Sequence, residues 1–100
     1  MTPKQFHNQN KNGIYLFASA HCRKCSEQKE MMKNVKYEIV ECDDDPEFIY
    51  KNYNVDLNQE LYEELNLNLT PTTILYKNGK EVWRCEGMMF DKQYEEMRRM

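Results

Sequence analysis

No stretch of this chain approaches the ~18 consecutive apolar residues that a membrane-spanning helix requires, so no membrane partner is expected. Met1 to Gly13 is polar and holds no apolar core of a secretory signal. Without export the chain is expected in the cytoplasm, a reducing compartment where structural disulfides are rare. A basic excess is also missing. Lys and Arg number 14 against 17 Asp and Glu, for a net charge of -3, which argues against a nucleic-acid partner. No repeat, low-complexity run or linker divides the sequence, so 1–100 reads as a single domain and a monomer, large enough for one modest core. Nor does Asp43-Asp44-Asp45 continue into the alternating oxygen ligands of a calcium loop; it reads as a solvated loop.

What the sequence does have is a pair of thiols three residues apart, in Ala20-His21-Cys22-Arg23-Lys24-Cys25. Such a pair could be half a metal site, an accident of composition or a redox couple. Zinc would need two more ligands, commonly a second closely spaced pair. The other cysteines, Cys42 and Cys85, are not so spaced, and no metal site is expected.

The surroundings of the pair decide how reactive it can be. Ile14 to Ala18 is a continuous apolar run, the pattern of a strand buried on both faces. Cys22 to Lys33 has helix-forming residues with no Gly or Pro, although its apolar stripe is weak. Tyr37 to Cys42 reads as a second strand. Glu47 to Tyr53 and Asn58 to Leu65 read as helices, with Leu57, Leu61 and Leu65 on one face. Thr72 to Tyr76 and Glu81 to Cys85 flank Asn78-Gly79, a hairpin signal because a type I′ turn needs positive φ at both central residues. Asp91 is expected to cap a last helix carrying Tyr94 and Met97 on one face, with Arg98 and Arg99 at its C-terminal end. Thr2-Pro3 opens a short extra helix running to about Asn10. The result is an α/β chain with a mixed sheet of about four strands and helices on both faces.

Cys22 thus falls between the end of a buried strand and the start of a helix, where open α/β sheets gather their functional sites. A helix N-terminus stabilises a thiolate, and His21, Arg23 and Lys24 add positive charge beside it, so these three are candidate tuning residues. One helical turn separates the sulfurs. Cys22 is placed to attack a disulfide and Cys25 to resolve the mixed disulfide that results. His7 reads as a surface residue, Cys42 and Cys85 as buried or half-buried apolar residues, Trp83 as core or sheet surface.

The segment Ile14 to Cys25, Thr70-Pro71-Thr72, the hairpin Tyr76-Lys77-Asn78-Gly79-Lys80-Glu81-Val82 and Gly87 before the last helix together resemble the thioredoxin superfamily. The resemblance runs from Gly13 to Met100. It implies the thioredoxin-like fold with sheet order 2-1-3-4, a cis peptide at Pro71, and a substrate-binding role for Thr70, Pro71 and Gly87. Thr70 would offer its backbone to the substrate chain as to an added strand. Cys42 and Cys85 would then lie at opposite edges of the sheet, about 14 Å apart at ~4.8 Å per strand step, too far to bridge. The chain departs from thioredoxins in its His21, in Arg23-Lys24 where they carry Gly-Pro, and in Leu16 where they keep a buried Asp. It departs from glutaredoxins in having one Gly in Glu86-Gly87-Met88-Met89.

The function this implies is that of a small thiol-disulfide oxidoreductase acting on a disulfide-containing protein. It needs no cofactor beyond Cys22 and Cys25, and is regenerated by a flavoprotein reductase or by glutathione. The alternatives are a glutaredoxin-type, glutathione-coupled enzyme and a non-catalytic binding module on the same fold.

Overall fold

The structure, a computed structural model, describes residues 6, 8–18, 23–41 and 64–100. Within them the order is β1 (Gly13–Ala18), α1 (Arg23–Met31), β2 (Glu38–Glu41), β3 (Thr72–Lys77), β4 (Lys80–Glu86) and α2 (Asp91–Arg98). The strands form one sheet in the order β2-β1-β3-β4. β1 and β2 are parallel, whereas β3 is antiparallel to both β1 and β4. The expected thioredoxin-like sheet is therefore present in number, order and direction.

β1 is central, and its apolar run serves two cores because successive side chains leave opposite faces. Leu16 and Ala18 face a cluster with Cys25, Met32, Met89 and Met97, joined by Trp83 and Tyr94. Tyr15 and Phe17 face the other way, toward Phe6, Val40, Ile74 and Tyr76. Both described helices pack on the Leu16 side. On the Phe17 side the sheet is covered by Phe6, Leu65 and Leu67. Most of the expected N-terminal helix lies outside the described residues, as do His7, Cys42, the Asp43–Asp45 loop, the helix expected over 47–53 and nearly all of that over 58–65.

The Phe17 side is aromatic. Phe6 meets Tyr15, Phe17 and Tyr76 edge-to-face at centroid distances of 5.8–5.9 Å. Lys11 is 4 % exposed, and its Nζ donates to the Phe6 carbonyl at 3.1 Å while lying 4.5 Å from the Phe6 ring centroid and 5.2 Å from that of Tyr76. Ring quadrupoles partly replace the water that this ammonium lost. Burial still lowers its pKa.

The Asn78-Gly79 turn has positive φ at both residues, 54° and 81°, as a type I′ hairpin requires. The register slips between Leu75 and Tyr76, which pair with Trp83 and Glu81, and Val82 is left as the extra residue of a bulge. The turn is tied back to the start of β1: Asn78 N–H donates to Asn12 Oδ1 at 2.8 Å, and Gly79 N–H to the Lys11 carbonyl at 2.8 Å.

One expectation at α2 is corrected. Its N-cap is Phe90, and Asp91 is the first helical residue, where its charge still favours the helix dipole. A phenyl ring accepts no cap hydrogen bond. Instead Gln93 reaches back, its Oε1 accepting from Phe90 N–H at 3.1 Å, the returning half of a capping box.

Candidate functional site

The strand register brings the ends of the sheet together in one row. Phe17 pairs with Thr72, and Thr72 with Glu86. One residue further, Ala18 ends β1, Pro71 precedes β3 and Gly87 follows β4. Gly87 N–H donates to the Pro71 carbonyl at 2.8 Å, extending the ladder across this row. The Thr70–Pro71 peptide is cis. Pro71 is buried, Thr70 half-buried and Leu69, just before them, exposed. Thr72 Oγ1 donates to the Leu69 carbonyl at 2.6 Å and closes the loop on itself.

Gly87 has φ +85°, and a Cβ there would stand 3.4 Å from Leu69 Cδ1. Any other residue would strain the backbone at this positive φ, although a Cβ would only touch the Leu69 side chain. The three residues expected to bind substrate thus form one continuous patch, beside the strand end from which the chain enters 19–22.

After that segment α1 begins at Arg23. His21 and Cys22 lie outside the described residues. Cys25 occupies the third position of α1 and is fully buried among Leu16, Ala18, Met32, Met89 and Met97. Arg23 and Lys24 are exposed on the same turn. Arg23 Nε is 4.0 Å from Glu27 Oε1, with its side chain 94 % exposed. The first turn of α1 holds no acidic residue. Basic groups at a helix N-terminus oppose the macrodipole, so this turn gives up local stability and concentrates positive potential at the start of the motif helix.

Two residues that support the segments around the site were not singled out from the sequence. Gln28 is fully buried one turn after Cys25. Its Nε2 donates to the Met89 carbonyl at 3.2 Å and its Oε1 accepts from Met89 N–H at 2.6 Å. This pair of hydrogen bonds joins the motif helix to the segment that starts at Gly87. The clue was the spacing of Cys25, Gln28 and Met32 on one helical face. Arg84, on β4, is the second, and its clue was weaker, since an arginine on an edge strand reads as solvated.

Cys85 is half-buried beside the Met88 carbonyl, 3.7 Å from its Sγ. Burial, then the charge of Glu96, push its thiol pKa up, the opposite of what a nucleophile needs. Trp83 packs partly against the Leu16 cluster and donates to Glu96 Oε1 at 3.3 Å. Among the described residues no three His, Cys, Asp or Glu are grouped so as to hold a metal ion, and no helix is long and apolar enough to cross a membrane.

A family model described as a thioredoxin-like domain matches residues 1–99. Similar solved structures include thioredoxin from Aeropyrum pernix, with TM-score 0.63 and 18% identity over 99% of this chain and 82% of that one. Thioredoxin f2 of Chlamydomonas reinhardtii aligns with TM-score 0.63 and 17% identity over 99% of this chain and 92% of that one. Fasciola hepatica thioredoxin aligns with TM-score 0.61 and 23% identity over 96% of this chain and 88% of that one. At these identities the structural likeness speaks for the fold, and the family match carries the membership: this chain belongs to the thioredoxin-like domain family.

Proposed function

We propose that the protein is a thiol-disulfide oxidoreductase that reduces or exchanges disulfides in partner proteins through Cys22 and Cys25. The observation that carries this is the row Ala18, Pro71, Gly87: a loop suited to hold an extended peptide lies beside the strand end that leads into Cys22-Arg23-Lys24-Cys25. In the first step the Cys22 thiolate attacks one sulfur of the partner disulfide. That S–S bond breaks, the other partner sulfur leaves as a thiolate, and a mixed disulfide forms. Cys25, as thiolate, then attacks the Cys22 sulfur. The partner's second thiolate leaves, and the two electrons gained by the partner are those lost in forming Cys22–Cys25. Thr70 main-chain groups hold the partner strand, and the exposed charges of Arg23 and Lys24, with His21, favour the thiolate at Cys22. A flavoprotein reductase or glutathione returns the pair to the dithiol.

The test is to alkylate the reduced protein at neutral pH, map the modified thiols by mass, and assay reduction of insulin in parallel. Cys22 is expected to react first, Cys25 only on unfolding, and insulin to be reduced. Protection of both thiols until a chelator is added would instead favour the binding-module alternative.

The basic turn makes a second prediction. Replacing Arg23-Lys24 with Gly-Pro removes charge that favours the reduced thiolate, so the potential of the pair should fall. Charges this exposed are heavily screened, which limits the change to a few tens of millivolts. Titration in glutathione buffers reads it; an unchanged or raised potential would refute the electrostatic role.

A further inference from the structure

We infer that Arg84 is a positioning residue for the loop that receives the partner strand, an inference that rests on the proposed oxidoreductase function. The side chain sits on β4 opposite Ile74 and is only 23 % exposed. Its guanidinium uses the whole fork. Nε and Nη2 hold Glu81 side-on at 3.0 and 2.7 Å. Nη2 also donates to the Leu65 carbonyl at 3.1 Å, and Nη1 to the Asn66 carbonyl at 3.4 Å. Glu86 Oε1 lies 3.8 Å from Nη1 and accepts from Asn68 Nδ2 at 3.4 Å.

These bonds hold the chain where it turns. Asn66 has φ +60°, and from there the chain runs through Asn68 and the exposed Leu69 to Thr70. The far end of the same loop is fixed by Thr72 on the Leu69 carbonyl and by Gly87 on the Pro71 carbonyl. Arg84 therefore anchors the near end of the segment whose far end is already part of the sheet. Glu81 orients the guanidinium, and the planar fork makes four bonds at once, two of them side-on to one carboxylate, where an ammonium has three donors. Without Arg84, Glu81 and Glu86 lose the positive charge they share, and the Leu65 and Asn66 carbonyls lose this donor. A partner strand docking on Thr70 would then have to order the loop as it binds, and that cost falls on binding rather than on thiol chemistry.

The experiment compares the wild type, Arg84→Met and Arg84→Lys with insulin, which needs the loop, and with hydroxyethyl disulfide, which is too small to use it. Expected for Arg84→Met is a KM for insulin raised about five- to tenfold, kcat within about twofold, and an unaltered rate with hydroxyethyl disulfide. Arg84→Lys should recover part of the KM. An unchanged KM, or rates with both disulfides falling in step, would overturn the positioning role. Should Arg84→Met fail to unfold cooperatively, Arg84→Lys carries the same split of KM against kcat. A wild type that reduces neither disulfide would remove the oxidoreductase function itself, and the positioning role with it; that result is distinct from an active wild type whose variants are unaffected.

Discussion

Gln28→Leu is expected to lower stability by about 3 kcal/mol, although leucine fills nearly the same space. The loss comes from what the substitution strands. Met89 N–H and C=O both bond to the Gln28 amide in the Leu16-side core. Each buried main-chain group left without a partner costs about 1–3 kcal/mol. For a domain of this size that is a drop of roughly 15 °C in Tm. Thermal and urea unfolding check it, and a change under about 1 kcal/mol would mean that water replaces the amide without penalty. Gln28→Glu separates lost hydrogen bonding from lost shape. When protonated, the new carboxyl can still accept from Met89 N–H and donate to Met89 C=O. When ionised, it is a buried charge facing a carbonyl. Its folded-state pKa is therefore raised, and its stability should be near wild type in acid and fall as the pH rises through that pKa.

The same residue shows where sequence reasoning reaches its limit. Elements set by local chemistry were legible: the Asn78-Gly79 turn because only such residues tolerate two positive φ values in succession, β1 because five apolar residues in a row need two buried faces. Thr70-Pro71 and Gly87 were legible as a set through the family resemblance, and the register of β1, β3 and β4 puts Pro71 and Gly87 in one row. Features that depend on distant partners were not. The stripe on α1 looked weak because one of its inward residues is a glutamine, whose partner lies 61 residues away. Arg84 gains its role from carbonyls 18 and 19 residues earlier. Lys11 is of a type that is mostly exposed, yet it is buried because Phe6 and Tyr76 supply rings on which its charge can rest. Asp91 offered the residue type of a cap, but the chain placed Phe90 there and let Gln93 supply the bond from within the helix.

Tyr76 should make the fold lose stability in alkali, and Tyr76→Phe should remove most of that loss. Its ring is 3 % exposed, and among the described residues its hydroxyl, also buried, has no hydrogen-bond partner. Burial, then the charges of Glu81 and Tyr15, against an opposing contribution from Arg84, push its pKa from 10.0 up to about 12. The folded state thus keeps a proton that the unfolded chain releases near pH 10. Stability is intact below about pH 10 and declines as the pH climbs toward about 12, by about 2–3 kcal/mol in all. Tyr15, whose pKa is raised first by burial and then by Glu38, adds to the decline. Lys11 acts the other way: its pKa is lowered by burial, so the folded state sheds that proton first and stability gains as the pH rises toward the lysine's ordinary value. Urea unfolding at about pH 8 and about pH 11.5 measures the balance, and Tyr76→Phe isolates the phenol from the amine. At about pH 8 the substitution also relieves an unsatisfied buried hydroxyl, a gain of about 1 kcal/mol or more. In alkali the variant should keep only the gain from Lys11 and the smaller losses from Tyr15 and Cys85, whose pKa values burial also raises. A Phe variant that loses stability with pH as steeply as the wild type would assign the alkaline weakness to another group and leave the Tyr76 hydroxyl hydrated in solution.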